Sequence, residues 1–346
     1  MVMKKVNFSN GLLIILSLAV CILAVLVVNL YTRISEANEK IVVMQNDGKE
    51  HMDILWADFY MQNIAVPESL EFAGKTIKLD EITREELWNR MMRFMSERWR
   101  WPILNYRLEK YAFVLDSLVA LEAPEDLKYV AIQESFLNPR AVSFASAKGF
   151  WQFITRTGRV FGLQIDSYID ERLDPAKSTI AAVKFFNYLF EIFDGDWALS
   201  AAGYNAGEGK ILKSIKIQGT KNYFGLQLNR ETSDYFLSIL TWKLINDRED
   251  GFVRRFKPKV DYSIPSIDVI MTLGRPLLAK TILPVFENSY HMWRSLNPMY
   301  IKDVVPTGRH LIRIPLRHKD LFQQILATQN VLYVKIVEEQ SKNLGG

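Results

Sequence analysis

One carboxylate stands where the hydrophobic pattern asks for an apolar side chain. Leu127, Val130, Ala131 and Glu134 follow the i, i+3, i+4, i+7 spacing of a single helix face, and Leu137 extends the stripe. Pro124 suits the first helical position, and Glu125 and Asp126 suit the positive N-terminal end. Asn138-Pro139 predicts the stop, because the residue before proline avoids αR. Glu134 then falls in the last turn, near the negative end of the dipole. Burial and dipole both disfavour the ionised form. A carboxyl kept protonated near neutral pH can act as a general acid. The same pattern also fits a surface glutamate on a helix shoulder, or a buried one paired with an arginine.

Other chemistries find little support. The four histidines, His51, His291, His310 and His318, form no metal-ligand spacing with the single cysteine, Cys21, so no metal and no cofactor is expected. One cysteine allows no intramolecular disulfide. The net charge of +4 gives a mildly basic surface that suits an anionic polymer. There is no Arg/Lys stripe with interleaved aromatics, so nucleic acid is not an expected partner.

Three ordered blocks between about Ala123 and Ile215 resemble the lysozyme-like lytic transglycosylases of the soluble-transglycosylase superfamily, and within it the membrane-bound lytic murein transglycosylase D type. The first is Pro124 to Pro139, with Glu134-Ser135 in the place of the family's Glu-Ser pair. The second is Gly149-Phe150-Trp151-Gln152, where relatives often carry leucine in place of Phe150, a change that predicts a reshaped cleft wall. The third is Asp196-Trp197 leading into Ala202-Gly203-Tyr204-Asn205-Ala206-Gly207, with Gly203 replacing the usual alanine.

The resemblance implies a one-acid mechanism on peptidoglycan glycan strands. Glu134 would be the catalytic residue, acid first and base second. Ser143, Gln152, Tyr204 and Asn205 would meet the substrate, with the Tyr204 hydroxyl orienting Glu134 and Gln152 contacting the sugar N-acetyl group. Ser135 would support the local backbone, while Phe136, Phe150 and Trp151 would dry the pocket and raise the acid. Two-carboxylate glycosidases need a second acid. Asp170, Asp174, Asp194 and Asp196 are available, but they read as helix starters or as borders of a turn. Two rivals follow: a goose-type lysozyme with a second carboxylate facing Glu134, and a non-catalytic peptidoglycan-binding scaffold.

The elements that must position these residues read as a mainly α chain. A lysozyme-like helical catalytic domain is expected between an N-terminal transmembrane helix and a small α+β C-terminal module. Residues 1–10, with Lys4 and Lys5, form a cytoplasmic N-terminus, and 11–30 form an anchor whose uncharged run Leu12–Leu30 can span a bilayer. Residues 31–78 read as a stalk and 79–122 as a helical lead-in, with Thr83 and Glu86 as a capping box and a helix from Pro102. The catalytic domain covers 123–250. Within it, helices are expected after Thr155, from Asp174-Pro175 to Phe193, from Asp196 to Gly207, and over Thr232–Asn246. The module covers 251–346, with strands at Val260–Ile264, Asp268–Thr272 and His310–Ile314, and helical stretches between and after them. It weakly resembles a LysM module; a packing appendage is an equal reading. The localisation implied is a single-pass bacterial cell membrane protein with its catalytic domain in the periplasm. The sequence names no protein partner.

Overall fold

The structure is a computed structural model that describes residues 26–27, 29–36, 65–97, 99–247, 264–329 and 331–337. The chain divides into two compact units, Met1–Ala65 and Val66–Gly346. In the first unit, residues 26–27 and 29–36 are helical. Most of the expected anchor, Leu12–Leu30, lies outside the described residues, as do residues 260–263 of the expected strand. No described helix is long and apolar enough to cross a membrane.

The second unit starts earlier than the sequence led us to expect. Residues assigned to a stalk form a hairpin, β1 (Ser69–Phe72) and β2 (Lys75–Lys78), which pair antiparallel. Leu70 and Phe72 are buried, and Phe72 packs edge-on against Phe236 at 5.2 Å. Apolar residues at alternate positions of β1 therefore belong to the core.

The lead-in is α1 (Glu81–Ser96), α2 (Arg100–Lys110) and α3 (Ala112–Ala120). The cap of α1 is Asp80, which accepts the Thr83 N–H at 2.7 Å; Thr83 itself lies buried inside the first turn, so it is no capping-box residue. Next come α4 (Lys128–Ser135), α5 (Thr155–Val160), α6 (Pro175–Ile192), α7 (Trp197–Ala206), α8 (Glu208–Gln218) and α9 (Arg230–Asn246). Asp174, Asp196 and Asn229 cap α6, α7 and α9 through side-chain oxygens. Helix α9 is buried at every position from Tyr235 to Trp242, as a helix apolar all round should be. It packs against α1, α4 and α7 and forms the axis of the helical part.

The remaining chain is a small α+β module. Strand β3 (Ser266–Leu273) is central in a three-stranded antiparallel sheet, flanked by β6 (Gly308–Pro315) and β7 (Val331–Val337). Between β3 and β6 run the short pair β4 (Leu277–Leu278) and β5 (Val304–Val305), with α10 (Ala279–Ile282) and α11 (Tyr290–Leu296). Helix α12 (Lys319–Ala327) leads into β7. The stretch from β3 to β6 thus runs strand, short strand, helix, helix, short strand, strand, and β7 adds a third strand to the main sheet. The module docks on the helical part through main-chain bonds: Asp170 N–H donates to Met299 O at 2.8 Å, and Ile301 N–H to Tyr168 O at 3.0 Å.

Candidate active site

Glu134 sits in the last turn of α4. Behind it, Leu127, Val130, Ala131 and Leu137 are buried, as the stripe predicts. The helix stops at Ser135, however, before Asn138-Pro139. Phe136 and Leu137 both adopt φ of 55°, a left-handed conformation that closes the helix two residues earlier than the proline signal. Phe136 N–H donates to Ile132 O at 2.8 Å, and Asn138 N–H bonds the Ser135 hydroxyl at 3.2 Å.

Packing strips water from the Glu134 carboxyl while its side chain keeps an edge to solvent. Burial raises the acid to about 7; the charge of Glu231 adds to this, and a hydrogen bond from Tyr235 opposes it. The Tyr235 hydroxyl donates to Glu134 Oε1. Neither Glu231 nor Tyr235 was singled out from the sequence. Both lie on α9, one turn apart, on a helix whose pattern reads as core. Their only local signal was i, i+4 spacing of a carboxylate and a phenol at a helix start.

Tyr204 does not make the contact expected of it. Its hydroxyl donates to Trp151 O at 2.6 Å, and its ring stacks on Phe186 at 4.7 Å. Burial, and after it the charge of Glu134, raises its ionisation well above the ordinary value, but the hydroxyl that holds Glu134 is Tyr235's. Asn205 is committed to α9: Nδ2 donates to Glu231 Oε1 at 3.2 Å, and Oδ1 accepts from Thr232 Oγ1 at 2.9 Å. It ties α7 to Glu231 and Thr232 on α9.

The loop between α4 and α5 carries the other expected residues. Ser135 Oγ donates to Phe150 O at 2.8 Å and joins the Glu134 turn to this loop. Ser143 is exposed, and its Oγ accepts the Ala147 N–H at 3.1 Å, which leaves its hydroxyl proton available. Gln152 spends its amide N–H groups on Gly149 O at 2.8 Å and Ala141 O at 3.3 Å. Its Oε1 has no partner among the described residues, so an acceptor is left for an N–H. Phe150, expected to reshape a cleft wall, and Trp151, expected to dry the pocket, both point into the core. Both are fully buried; Phe150 packs edge-on to Tyr111 at 4.8 Å, and Trp151 donates its indole N–H to Thr179 Oγ1 at 2.9 Å.

A buried ion pair fixes this loop. Arg172 makes two bonds to Asp170, both at 2.8 Å, and its Nη1 donates to Ser146 O at 3.0 Å and Phe153 O at 3.1 Å. Gly149 comes so close that an added Cβ would fall 1.7 Å from the Arg172 carbonyl oxygen. Asp170 is therefore a loop anchor, and Arg172 with Lys148 holds its carboxyl below the ordinary range. Among the described residues, the carboxylate that acts on Glu134 is Glu231. No described cluster of His, Cys, Asp or Glu could hold a metal.

Part of the chain is similar to known proteins. Residues 122–226 match the transglycosylase SLT domain family. Membrane-bound lytic murein transglycosylase D of Escherichia coli K12 is 25% identical over 275 residues, covering 76% of this chain and 59% of the relative. The peptidoglycan transglycosylase gp16 of Escherichia phage T7 is 38% identical over 86 residues, covering 25% of this chain and 6% of the relative. The crystal structure of the 70 kDa soluble lytic transglycosylase of E. coli aligns with a TM-score of 0.35 at 18% identity, over 51% of this chain and 32% of that one. The chain thus spans just over half the length of the curated lytic transglycosylase D that it matches. The segment that matches the transglycosylase SLT domain family, residues 122–226, holds Glu134, the 141–153 loop, Tyr204 and Asn205.

Proposed function

We propose that this chain is a peptidoglycan lytic transglycosylase that cleaves the β-1,4 bond between N-acetylmuramic acid and N-acetylglucosamine and leaves 1,6-anhydromuramic ends, for cell-wall remodelling or turnover. The observation that carries the reading is Glu134: a desolvated carboxyl raised to about 7 and held by Tyr235, whose carboxylate neighbour Glu231 accepts a hydrogen bond from Asn205. Near neutral pH such a group can give a proton and take one back. Glu134 protonates the leaving O4 as the C1–O4 bond breaks. The substrate's acetamido oxygen stabilises the cationic C1. The Glu134 carboxylate then takes the proton of the C6 hydroxyl as O6 bonds to C1. Water is not consumed, so the step is a lyase reaction. The Oε1 of Gln152 is an acceptor for the acetamido N–H, and the Ser143 hydroxyl is a donor in the same loop.

The test is digestion of purified sacculi with mass spectrometry of the products. Wild-type protein gives anhydro ends, and Glu134→Gln gives none while still binding glycan. Reducing muramic acid ends as the main product would overturn the reading.

We further propose that Leu12–Leu30 anchors the chain in the cell membrane with the catalytic unit in the periplasm. Lys4 and Lys5 before the run support this orientation, and the printed name of the E. coli relative is membrane-bound. Protease shaving of spheroplasts should release a soluble catalytic fragment; full protection of that part would refute the topology.

A further inference from the structure

A second site lies outside the segment that matches the family. A cavity of about 460 Å³ opens between the end of α2 and the C-terminal module, within the size range of small-ligand sites of roughly 300–1,000 Å³. Lys110 and Tyr111 form one wall; Asn297 and Arg313 belong to the other. Only Pro139, Asp174 and Pro175 of its lining come from residues 122–226.

Its chemistry is unbalanced toward positive charge. Lys110 is half-buried, and its ammonium lies 5.6 Å and 5.5 Å from the ring centres of Tyr106 and Tyr111. It has no carboxylate partner among the described residues. Burial and repulsion from Arg140 and Arg107 all lower its affinity for a proton. Arg107 donates to a backbone carbonyl, Phe136 O, at 2.7 Å, and Arg140 has no ion pair among the described residues. The Tyr111 hydroxyl likewise has no hydrogen-bond partner among the described residues, and its ionisation is pushed up to about 12, chiefly by burial. The carboxylates nearby are committed. Asp268 pairs with Arg313 at 2.8 and 3.0 Å, and Asp174 accepts the Lys177 N–H at the start of α6. One ammonium and one phenol thus line a single cavity without a hydrogen-bond or ion-pair partner among the described residues, and two more cations act on the ammonium. A half-buried cation without an anion is costly, and a carboxylate supplied by a ligand would relieve it.

We propose that this cavity binds a peptide carboxylate, and that its occupant is the peptide stem carried by the glycan substrate. The assignment rests on the transglycosylase reading for the identity of the ligand. The C-terminal end of the Glu134 helix supplies the link between the two sites: Phe136, two residues beyond the acid, holds Arg107, and Pro139 lines the cavity. The proposal requires that a strand whose scissile bond lies at Glu134 place an attached peptide against Lys110.

The experiment uses the full-length protein and two probes, a synthetic stem tetrapeptide with free carboxylates and the same peptide fully amidated. Calorimetry should show the acidic peptide binding wild type at least tenfold more tightly than Lys110→Met, and several-fold more tightly than Arg140→Gln. Arg140 is exposed, so its variant keeps the fold. The amidated peptide should bind all three proteins equally weakly. On glycan, Lys110→Met should raise KM for peptide-bearing strands and leave kcat/KM on peptide-stripped strands unchanged. Equal affinity of wild type for the two peptides, or unaltered binding by both variants, overturns the site. Normal anhydro products without peptide binding would sink the cavity assignment alone. Selective peptide binding without glycan cleavage would sink the transglycosylase reading and keep the site.

Discussion

At Glu134, burial and the charge of Glu231 raise the carboxyl toward 7, while the Tyr235 hydroxyl pulls it down. Activity that needs the protonated acid should therefore fall as pH rises through about 7. Tyr235→Phe removes the lowering bond, so its high-pH limb should move up while the rate drops. Glu231→Gln removes the raising charge, so the limb should move down. A kinetic pH profile of the three proteins checks both signs, and movement of both limbs in one direction would contradict this arrangement. The same group sets a stability trend. Its folded value lies above the unfolded reference of about 4.3, so its contribution is fully present below that pH and is lost as pH rises through about 7. Glu134→Gln should match wild type at pH 4 in urea denaturation and be more stable at pH 8, by on the order of 3 kcal/mol. Equal stability at pH 8 would mean that the carboxylate is not desolvated.

At the scale of elements, the 141–153 loop holds Ser143 and Gln152 in place only as firmly as Asp170 and Arg172 hold it. Asp170→Asn leaves the buried guanidinium without its charge partner, a loss of about 3–5 kcal/mol, more than a lost cap. Because the folded Asp170 value is lowered, its contribution is present above the unfolded value of about 3.9 and is lost as pH falls through the folded one. Thermal melts from pH 3 to 7 should show wild type and variant converging at the acid end. The α6–α7 packing offers a second case. A Cβ at Gly203 would lie 2.6 Å from the Phe193 ring and 3.1 Å from Leu189. Gly203→Ala gains about 1 kcal/mol in helix propensity but meets an overpacking cost of about 1–3 kcal/mol, so a net loss near 1 kcal/mol is expected. Adding Phe193→Leu should restore it, and failure of that rescue would point to another cause.

For the whole second unit, the C-terminal module is part of what supports the cleft. Ile169 belongs to the module's buried cluster, and Tyr168 and Asp170 bond its backbone. Truncation after residue 263 would expose Ile169 and free the strand-like segment that carries Asp170. The truncated protein should melt at lower temperature and lose rate on glycan, even though every residue of the family segment remains. Unchanged melting and turnover would show that the module is a passive appendage.

Much of this was legible in the sequence because the signals are local. The stripe of Leu127, Val130 and Ala131 placed Glu134 on a core-facing helix, and Asp174 and Asp196 marked helix starts by side-chain capping. Helix α9 was also visible as an element. What the sequence could not show is which residues meet across elements. Tyr235 reaches Glu134 from 101 residues away, while Tyr204, inside a recognisable motif, turns its hydroxyl to Trp151 instead. Ring stacking against Phe186 fixes that orientation, and nothing near Tyr204 in the chain encodes it. Phe150 suggested a reshaped cleft wall because relatives often carry leucine there, yet its side chain is fully buried against Tyr111. The hairpin at Ser69–Lys78 escaped notice because a short strand is stabilised by what covers it, here Phe236 on α9. Helix periodicity and capping are properties of a few neighbouring residues. The pKa of Glu134, the anchoring of its loop and the cavity at Lys110 arise only when distant segments exclude water from one another.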